Sequence, residues 1–301
     1  MKNKFLIVIT GPTASGETSV GLEMAKRFNS EIISADSRQI YKEMKIGTAV
    51  PDEEQLQTVK HHFIRCISIS ERYNASRYES AVVSLLTELY KVHDLVFLVG
   101  GSGLYIDAVC YGIDDFPETD ITLRKELELM YKNEGIEGLR DKLKLLDPLS
   151  YSRVDLKNPK RIQKALEITI MTGKPYSFFL SGVKKARPFN IIYIALNLER
   201  DELYRKINER VLQMMENGLE EEARKLYPMK DINALKTVGY KEMFECFEGL
   251  KSRDEAIAEI QANTRKYARK QLTWFRKNKN YTWFSPSQID EIENFIKTKI
   301  C

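Results

Sequence analysis

The chain has 301 residues, of which 43% are hydrophobic and 30% are charged, and its formal net charge is +4. This length and apolar content suffice for one large α/β domain, or for a core with a smaller insert, and exclude a short disulfide-stapled scaffold. The four cysteines show no C-x-x-C spacing, and with only three histidines they form no metal-binding pattern. No apolar run approaches the ~20 residues of a membrane span, so we expect a cytoplasmic protein without a membrane partner. We also expect a monomer.

Short apolar segments with β propensity recur at residues 5–10, 31–35, 94–99 and 190–196, and helical patterns lie between them. Alternation of this kind predicts a parallel sheet with helices on both faces. Farther along, long helical patterns cover residues 200–227 and 252–278. We therefore expect an α/β core formed by residues 1–113 and 189–301.

Residues 114–188 interrupt this alternation, because the segment is charged and lacks a convincing strand. It contains two helix candidates, at 120–133 and 158–172. The second has Asn158 in position to cap its start, Pro159 at its first helical position and Gly173 as its stop. The sequence thus predicts a helical insert over residues 114–188.

A phosphate-binding pattern opens the chain. Residues 11–18 read Gly-Pro-Thr-Ala-Ser-Gly-Glu-Thr, which is G-x-x-x-x-G-K-[ST] with Glu17 in the lysine position, between a predicted strand and a helical pattern at 20–27. Such a loop directs backbone N–H groups and the positive end of a helix at an anion, and the Thr18 hydroxyl would bind a Mg²⁺ shared with the phosphates. The candidate ligands of a diphosphate or nucleotide are Gly11, Pro12, Thr13, Ala14, Ser15, Gly16, Glu17 and Thr18, with Thr18 as the metal ligand.

Glu17 changes the electrostatics of this loop. A carboxylate in place of an ammonium shifts the local charge by two units, and one unit pair at ~4 Å in an effective dielectric of ~20 is worth about 4 kcal/mol. The backbone amides and Thr18 do not depend on the lysine. The loop is therefore an anion site by geometry, with reduced affinity expected from its charge.

Two further segments lie where predicted strands end. Asp36 follows the second strand, at the edge of the sheet where open α/β folds hold their ligands, although a helix cap is an alternative role. Residues 98–105 read Leu-Val-Gly-Gly-Ser-Gly-Leu-Tyr, a strand that enters a glycine turn. Its glycines allow close backbone approach and Ser102 offers a hydroxyl to an anion, but a plain strand-to-helix turn would look similar.

Two basic segments complete the candidate sites. Residues 160–164 read Lys-Arg-Ile-Gln-Lys on the second insert helix, where a solvated charged face is the ordinary interpretation. Residues 265–279 hold seven basic and no acidic residues, with Tyr267, Trp274 and Phe275 among them. Unopposed positive charge suits a phosphodiester backbone, so we assign the charges to nucleic acid binding. The three aromatic residues recur at helical spacing, so we assign them to the core.

Taken together, these segments resemble the tRNA dimethylallyltransferase family over nearly the whole chain. The motifs that carry the resemblance are the 11–16 loop, Asp36-Ser-Arg-Gln-Ile-Tyr-Lys, Ile46-Gly-Thr-Ala, His61-His62, Gly100-Gly-Ser-Gly-Leu-Tyr, Asn158-Pro-Lys-Arg, Thr237-Val-Gly-Tyr-Lys-Glu and Thr264-Arg-Lys-Tyr-Ala-Arg-Lys-Gln-Leu-Thr-Trp-Phe-Arg. The resemblance implies a P-loop NTPase-like core and a helical insert that contacts the tRNA anticodon stem-loop. It also implies Mg²⁺-dependent transfer of a dimethylallyl group from its diphosphate to N6 of adenosine 37.

The family pattern assigns roles to individual residues. Asp36 would accept the proton of the adenine amine as the C–N bond forms, while the loop amides, the Mg²⁺ on Thr18 and the Ser102 hydroxyl would stabilise the departing diphosphate. Extrusion of the target base calls for an extended basic surface. The residues expected along the RNA path are Asp36, Ser37, Arg38, Gln39, Ser102, Arg124, Lys160, Arg161, Ile162, Gln163, Lys164, Lys236, Thr237, Val238, Gly239, Tyr240, Lys241, Arg265 and Arg269.

The chain departs from the family pattern at a few positions. Asn158 stands where an aspartate is usual, and Lys164, Lys236 and Lys241 stand where arginines are common, which removes a bidentate fork from each phosphate contact. For Glu17 three outcomes are open: a metal restores the positive charge, a nearby base compensates, or the diphosphate site is impaired. A catalytically impaired tRNA-binding paralogue and a P-loop nucleotide kinase are therefore the alternative functions, and the basic segment at 265–279 argues against the kinase.

Overall fold

The computed structural model describes residues 3–114, 116–117, 120–180 and 184–300. It divides into two compact units, one formed by Met1–Tyr111 with Ala186–Cys301 and the other by Gly112–Lys185. The first unit is called the core below, and the second is called the insert.

The core is built on a parallel sheet. In the described residues its strands are β1 (Phe5–Thr10), β2 (Ile32–Ser34), β3 (His61–His62), β4 (Leu95–Val99), β5 (Asn190–Leu196) and β6 (Thr282–Phe284), in the spatial order β3-β2-β4-β1-β5-β6. β1 pairs with β4 on one side and with β5 on the other. Every residue of β1 is buried, as expected for a central strand covered on both faces. The predicted α/β fold is confirmed, as are the four predicted strands; β3 and β6 are additional.

Helices flank the sheet and form the insert. In chain order they are α1 (Glu17–Arg27), α2 (Glu53–Thr58), α3 (Ala75–Leu89), α4 (Gly103–Tyr111), α5 (Ile121–Leu146), α6 (Pro148–Arg153), α7 (Pro159–Thr172), α8 (Arg200–Glu216), α9 (Leu219–Leu226), α10 (Tyr240–Phe247), α11 (Arg253–Phe275) and α12 (Ile289–Ile300). The single helix predicted over 200–227 is wrong. Gly218 adopts a left-handed conformation with φ of 97°, which separates α8 from α9.

Apolar packing explains how the core is organised. One buried cluster joins α1 and α12 to the sheet through Met24, Phe97 and Ile292. A second buried cluster, which includes Tyr240 and Ile260, joins α8, α9, α10 and α11 to residues 40–46. These helices pack against residues 40–46, which follow β2. They therefore support the loops at the carboxyl ends of the strands.

The insert has its own apolar cluster, which includes Leu139, Leu143, Ile162 and Leu166. Helix α7 begins as predicted: the Asn158 side chain accepts a hydrogen bond from the Arg161 N–H, and Pro159 occupies the first turn. It ends at Gly173, which has φ of 66°. Helix α5 runs farther than the predicted 120–133, and its backbone is non-helical at Gly135.

None of the described helices combines the length and the apolar character that a bilayer crossing requires.

Candidate active site at the carboxyl ends of the strands

The phosphate-type loop lies between β1 and α1. Its backbone turns at Ala14, with φ of 67°, and at Gly16, with φ of 93°. Gly16 has no side chain and makes no cap hydrogen bond to the first turn of α1. Because Gly16 caps none of the first N–H groups of α1, these groups and the helix dipole together form a donor set for an anion.

Glu17 is the first residue of α1 and is partly buried. Its Oε2 accepts a hydrogen bond of 3.2 Å from Ser15 Oγ. Burial raises the pKa of Glu17 above its usual value, and the nearby Arg210 guanidinium opposes that rise. The carboxyl group therefore faces inward, among the groups that would contact a phosphate.

Arg210 is the cation that the structure brings to this loop. It lies on α8, and its Nη1 is 3.5 Å from the Thr13 hydroxyl oxygen. Of the three outcomes left open for Glu17, this geometry supports the one in which a nearby basic residue compensates for the charge of the carboxylate. Sequence reasoning missed Arg210, because it lies 197 residues from Thr13 in a helix with many charges and no distinguishing motif.

Asp36 lies directly after β2, and its side chain is held by backbone N–H groups of the residues that follow it. Its Oδ1 accepts hydrogen bonds from the N–H groups of Arg38 (2.7 Å) and Gln39 (3.2 Å). Asp36 thus caps a turn at 37–40 rather than a helix. Its second carboxylate oxygen accepts no hydrogen bond from the described residues, so it remains available to a substrate.

Ser102 lies beside Asp36 because the two loops are joined. Its Oγ accepts a hydrogen bond of 2.9 Å from the Ser37 N–H, and its own N–H donates to Ala35 O at 3.0 Å. Gly100, with φ of 150°, lies so close to this backbone that a Cβ would approach Ala35 C to 2.6 Å. The glycine turn therefore brings the Ser102 hydroxyl next to the Asp36 segment.

Gln271 of α11 connects the phosphate-type loop to the glycine turn that carries Ser102. Its Oε1 accepts a hydrogen bond of 2.9 Å from the Thr13 N–H, and its Nε2 donates one of 2.9 Å to Gly101 O. Tyr267, one turn earlier, lies near Ser102 and Asp36. Sequence reasoning quoted the motif that contains both residues but gave neither a role in the site.

The remainder of α11 presents a basic surface. Its groove has a volume of about 340 Å³ and is lined by Lys266, Arg269, Lys270, Thr273, Trp274 and Lys277. These residues recur at helical spacing and share one side of the helix. Phe275 is in the core as predicted, at 1% exposure, but the same prediction is wrong for Tyr267 (44%) and Trp274 (38%). Both rings lie at the surface because they face the site and the groove rather than the apolar clusters.

The two arginines predicted on α11 have neutral partners. Arg265 donates to the side chain of Asn208, and Arg269 donates to the Tyr204 hydroxyl at 2.8 Å. In the described part of the chain, neither Lys270 nor Lys277 forms an ion pair. These two lysines therefore contribute positive charge to the surface that no described carboxylate pairs with.

The predicted segment 236–241 enters α10 and is tied to the Asp36 loop. Tyr240 is buried, and its hydroxyl donates to Glu222 at 2.6 Å. The Glu222 carboxylate also accepts the N–H groups of residues 45–47, while the Gln39 amide donates to the carbonyls of residues 48 and 49. Lys241 is exposed and lies 3.5 Å from Glu245, and Lys236, Thr237, Val238 and Gly239 form the turn before α10.

In the insert, the predicted residues divide between surface and interior. Lys160 and Arg161 are exposed on α7, whereas Ile162 is buried in the apolar cluster. Gln163 donates to Leu127 O at 3.4 Å, and the Lys164 ammonium lies 5.2 Å from the centre of the Phe116 ring. Arg124 forms a bidentate ion pair with the buried Glu167. Their contacts with RNA stay predictions.

Comparison with known proteins identifies the relatives of this chain. A family model described as IPP transferase matches residues 39–278. The tRNA dimethylallyltransferase 1 of Bacteroides fragilis is 48% identical over 300 residues, covering 100% of both chains, and the tRNA dimethylallyltransferase 2 of Azobacteroides pseudotrichonymphae is 50% identical over 96% of this chain and 94% of its own. The full-length tRNA isopentenylpyrophosphate transferase of Bacillus halodurans superposes with a TM-score of 0.73 at 39% identity, covering 99% of this chain and 97% of that structure. This chain belongs to the IPP transferase family, together with the tRNA dimethylallyltransferases.

Proposed function

We propose that the protein transfers a dimethylallyl group from dimethylallyl diphosphate to N6 of adenosine 37 in tRNA. The observation that carries this proposal is the convergence of an anion-binding loop, the Asp36 carboxylate and the Ser102 hydroxyl at one edge of the sheet, beside the basic surface of α11. Family membership supports the same reaction. A tRNA substrate would place the protein in the cytoplasm, and we propose that it acts as a monomer.

Asp36 acts on the nucleophile. An exocyclic adenine amine is a weak nucleophile, and it must lose a proton when its nitrogen bonds to the allylic carbon. The hydrogen bonds from Arg38 and Gln39 hold one oxygen of Asp36, so the other is left to accept that proton. The bond that breaks is the C–O bond to the diphosphate, which departs with the electron pair.

The phosphate-type loop stabilises the leaving group. Its uncapped N–H groups at the start of α1 would bind the diphosphate oxygens, and the Ser102 hydroxyl lies on the opposite loop. Arg210 supplies positive charge in place of the missing lysine, and it also offsets the charge of Glu17. The anion site is thus retained in spite of Glu17.

The oxygen donors at this edge fit Mg²⁺, which would neutralise charge on the diphosphate when bound. The Thr18 hydroxyl is a hard oxygen ligand of the kind that Mg²⁺ prefers, and it would hold the ion beside the phosphates. Among the described residues, no cluster of three or more carboxylate, histidine or cysteine side chains is arranged to hold a metal. Phosphate oxygens and waters would have to complete the coordination, so metal and diphosphate should bind together.

We propose that RNA binds along the basic groove of α11 and along α7 of the insert. Each surface carries exposed cations without carboxylate partners in the described residues: Lys270 on α11 and Lys277 in the turn after it, and Lys160 and Arg161 on α7. Trp274 adds an aromatic face, held by a hydrogen bond of 2.9 Å from its Nε1 to Asp107. A kinase acting on a small substrate would have no need of such surfaces.

The test is a transfer assay with purified protein, radiolabelled dimethylallyl diphosphate, unmodified tRNA and Mg²⁺. We expect label to enter the RNA and no ATP turnover in a parallel assay. RNA binding without label transfer would favour the impaired paralogue, whereas ATP-dependent phosphorylation of a small substrate would favour the kinase.

A further inference from the structure

Gln271 makes contacts that the proposed chemistry does not use. It is 6% exposed, and both ends of its amide are engaged. The partners are the Thr13 N–H, 258 residues away, and the Gly101 carbonyl, 170 residues away. One side chain on α11 therefore ties the phosphate-type loop to the loop that carries Ser102.

The two contacts fix geometry rather than bind substrate. The Thr13 N–H is directed at Gln271, so this group of the loop is withdrawn from the phosphate. At Gly101 a Cβ would lie 2.3 Å from Gln271 Nε2, which shows how closely the amide is fitted. A side chain that lost either bond would leave a buried backbone group without a partner.

The helix that carries Gln271 also carries the proposed RNA surface. Tyr267, one turn before Gln271, faces Ser102 and Asp36, whereas Lys266 and Lys270 face the groove. The Gln271 amide thus sets the distance between the phosphate-type loop and the turn that carries Ser102. It does so from the same rigid helix that bears the basic side chains.

We propose that Gln271 is a positioning residue that holds the phosphate-type loop and the Ser102 turn at the spacing needed to bind the diphosphate of the prenyl donor. The proposal rests on the proposed function, because it takes the loop to be the diphosphate site. If the two hydrogen bonds only stabilised the fold, their loss would weaken the binding of donor and RNA alike. If they position the loops, their loss weakens donor binding and leaves RNA binding by α11 intact.

The test compares Gln271→Met with the native protein. Methionine keeps the length of the side chain and removes both hydrogen bonds. We expect the dissociation constant for inorganic diphosphate with Mg²⁺, and KM for dimethylallyl diphosphate, to rise about tenfold, with RNA affinity within about twofold of native. Gln271→Asn, which keeps the amide but is too short to reach both partners, serves as the second variant if the first does not fold.

A matched control lies on the same helix. Gln261 donates one hydrogen bond of 3.3 Å to Asn208 O, so Gln261→Met should leave both donor and RNA parameters unchanged. Native-like diphosphate binding by Gln271→Met, or an equal loss of RNA affinity, overturns the positioning role. Failure of the native protein itself to bind diphosphate would overturn the proposed function instead.

Discussion

The catalytic edge of the core and the α7 face of the insert are held in different ways. At the edge, the loops are fixed by side chains from distant parts of the chain, such as Gln271, which reaches Thr13 and Gly101. In the insert, α7 is specified locally by Asn158, Pro159 and Gly173, and its basic residues project from a helix packed through Ile162. Substitutions at the edge should therefore alter chemistry and donor binding, whereas those on α7 should alter only RNA affinity.

The largest effect is expected at Asp36. Asp36→Asn keeps an oxygen to accept from Arg38 and Gln39 but removes the base, so the single-turnover transfer rate should fall by roughly 10²- to 10⁴-fold. RNA affinity should stay within a few fold for this variant and for Asp36→Ala, since the carboxylate acts on a proton. Filter binding beside rapid-quench rates measures both quantities. Normal turnover by either variant would remove Asp36 from the mechanism.

The next effect concerns Arg210. Arg210→Gln leaves the Glu17 carboxyl without its counter-charge and removes a charge-assisted contact, so kcat/KM for the donor should fall by roughly 10- to 100-fold. Adding Glu17→Gln to this variant should recover part of the loss, because the two side chains interact. Strictly additive effects in this double-mutant cycle would show that Arg210 does not compensate for Glu17.

Glu17→Lys should act in the opposite direction. Restoring the cation removes a repulsion and adds a charge-assisted hydrogen bond, so we expect a gain of at least about tenfold in kcat/KM for dimethylallyl diphosphate. The Mg²⁺ requirement should become less steep, because the metal no longer has to offset a carboxylate. A Mg²⁺ titration of steady-state transfer at saturating tRNA makes the comparison. If the lysine form is no better at any Mg²⁺ concentration, Arg210 already compensates in full.

A smaller effect is expected on the α11 groove. Replacing Lys270 and Lys277 by glutamine should weaken tRNA binding and reduce the slope of log K against log salt by roughly 0.7 to 0.9 per lost phosphate contact. The control replaces Lys91 and Lys297, which are paired with Glu88 and Glu293. An unchanged salt slope in the first variant would mean that those lysines only solvate the helix.

The smallest effect is expected on α7. Because Lys160 and Arg161 are exposed, their replacement by glutamine should leave the insert folded and weaken RNA binding a few fold. The single-turnover rate at saturating RNA should remain that of the native protein. A slower rate in the α7 variant at saturating RNA would contradict the contrast between the two regions, because it would mean that α7 takes part in the chemical step.

The same contrast explains what could be predicted from the sequence. The buried run of β1, the caps of α7 and the glycine loop are local patterns, and each was found at its position in the structure. β3 and β6 lie at the two ends of the sheet and are only partly buried, so they lack the buried apolar run that marks the equally short β2. Arg210 and Gln271 owe their roles to partners far away in the chain, which no local pattern reveals. Gly218 was visible inside a helical pattern, but its left-handed backbone was not.

The most direct test of the central claim is the position of the transferred group. Unmodified tRNA is incubated with the native protein, dimethylallyl diphosphate and Mg²⁺, then digested, and the fragments are analysed by mass spectrometry. We predict one adenosine heavier by a dimethylallyl group, at position 37, in the native reaction, and at least about 100-fold less of it at the same early time with Asp36→Asn. Native protein that binds the tRNA yet leaves adenosine 37 unmodified at every Mg²⁺ concentration would contradict the claim that this edge of the core is an active prenyl transfer site.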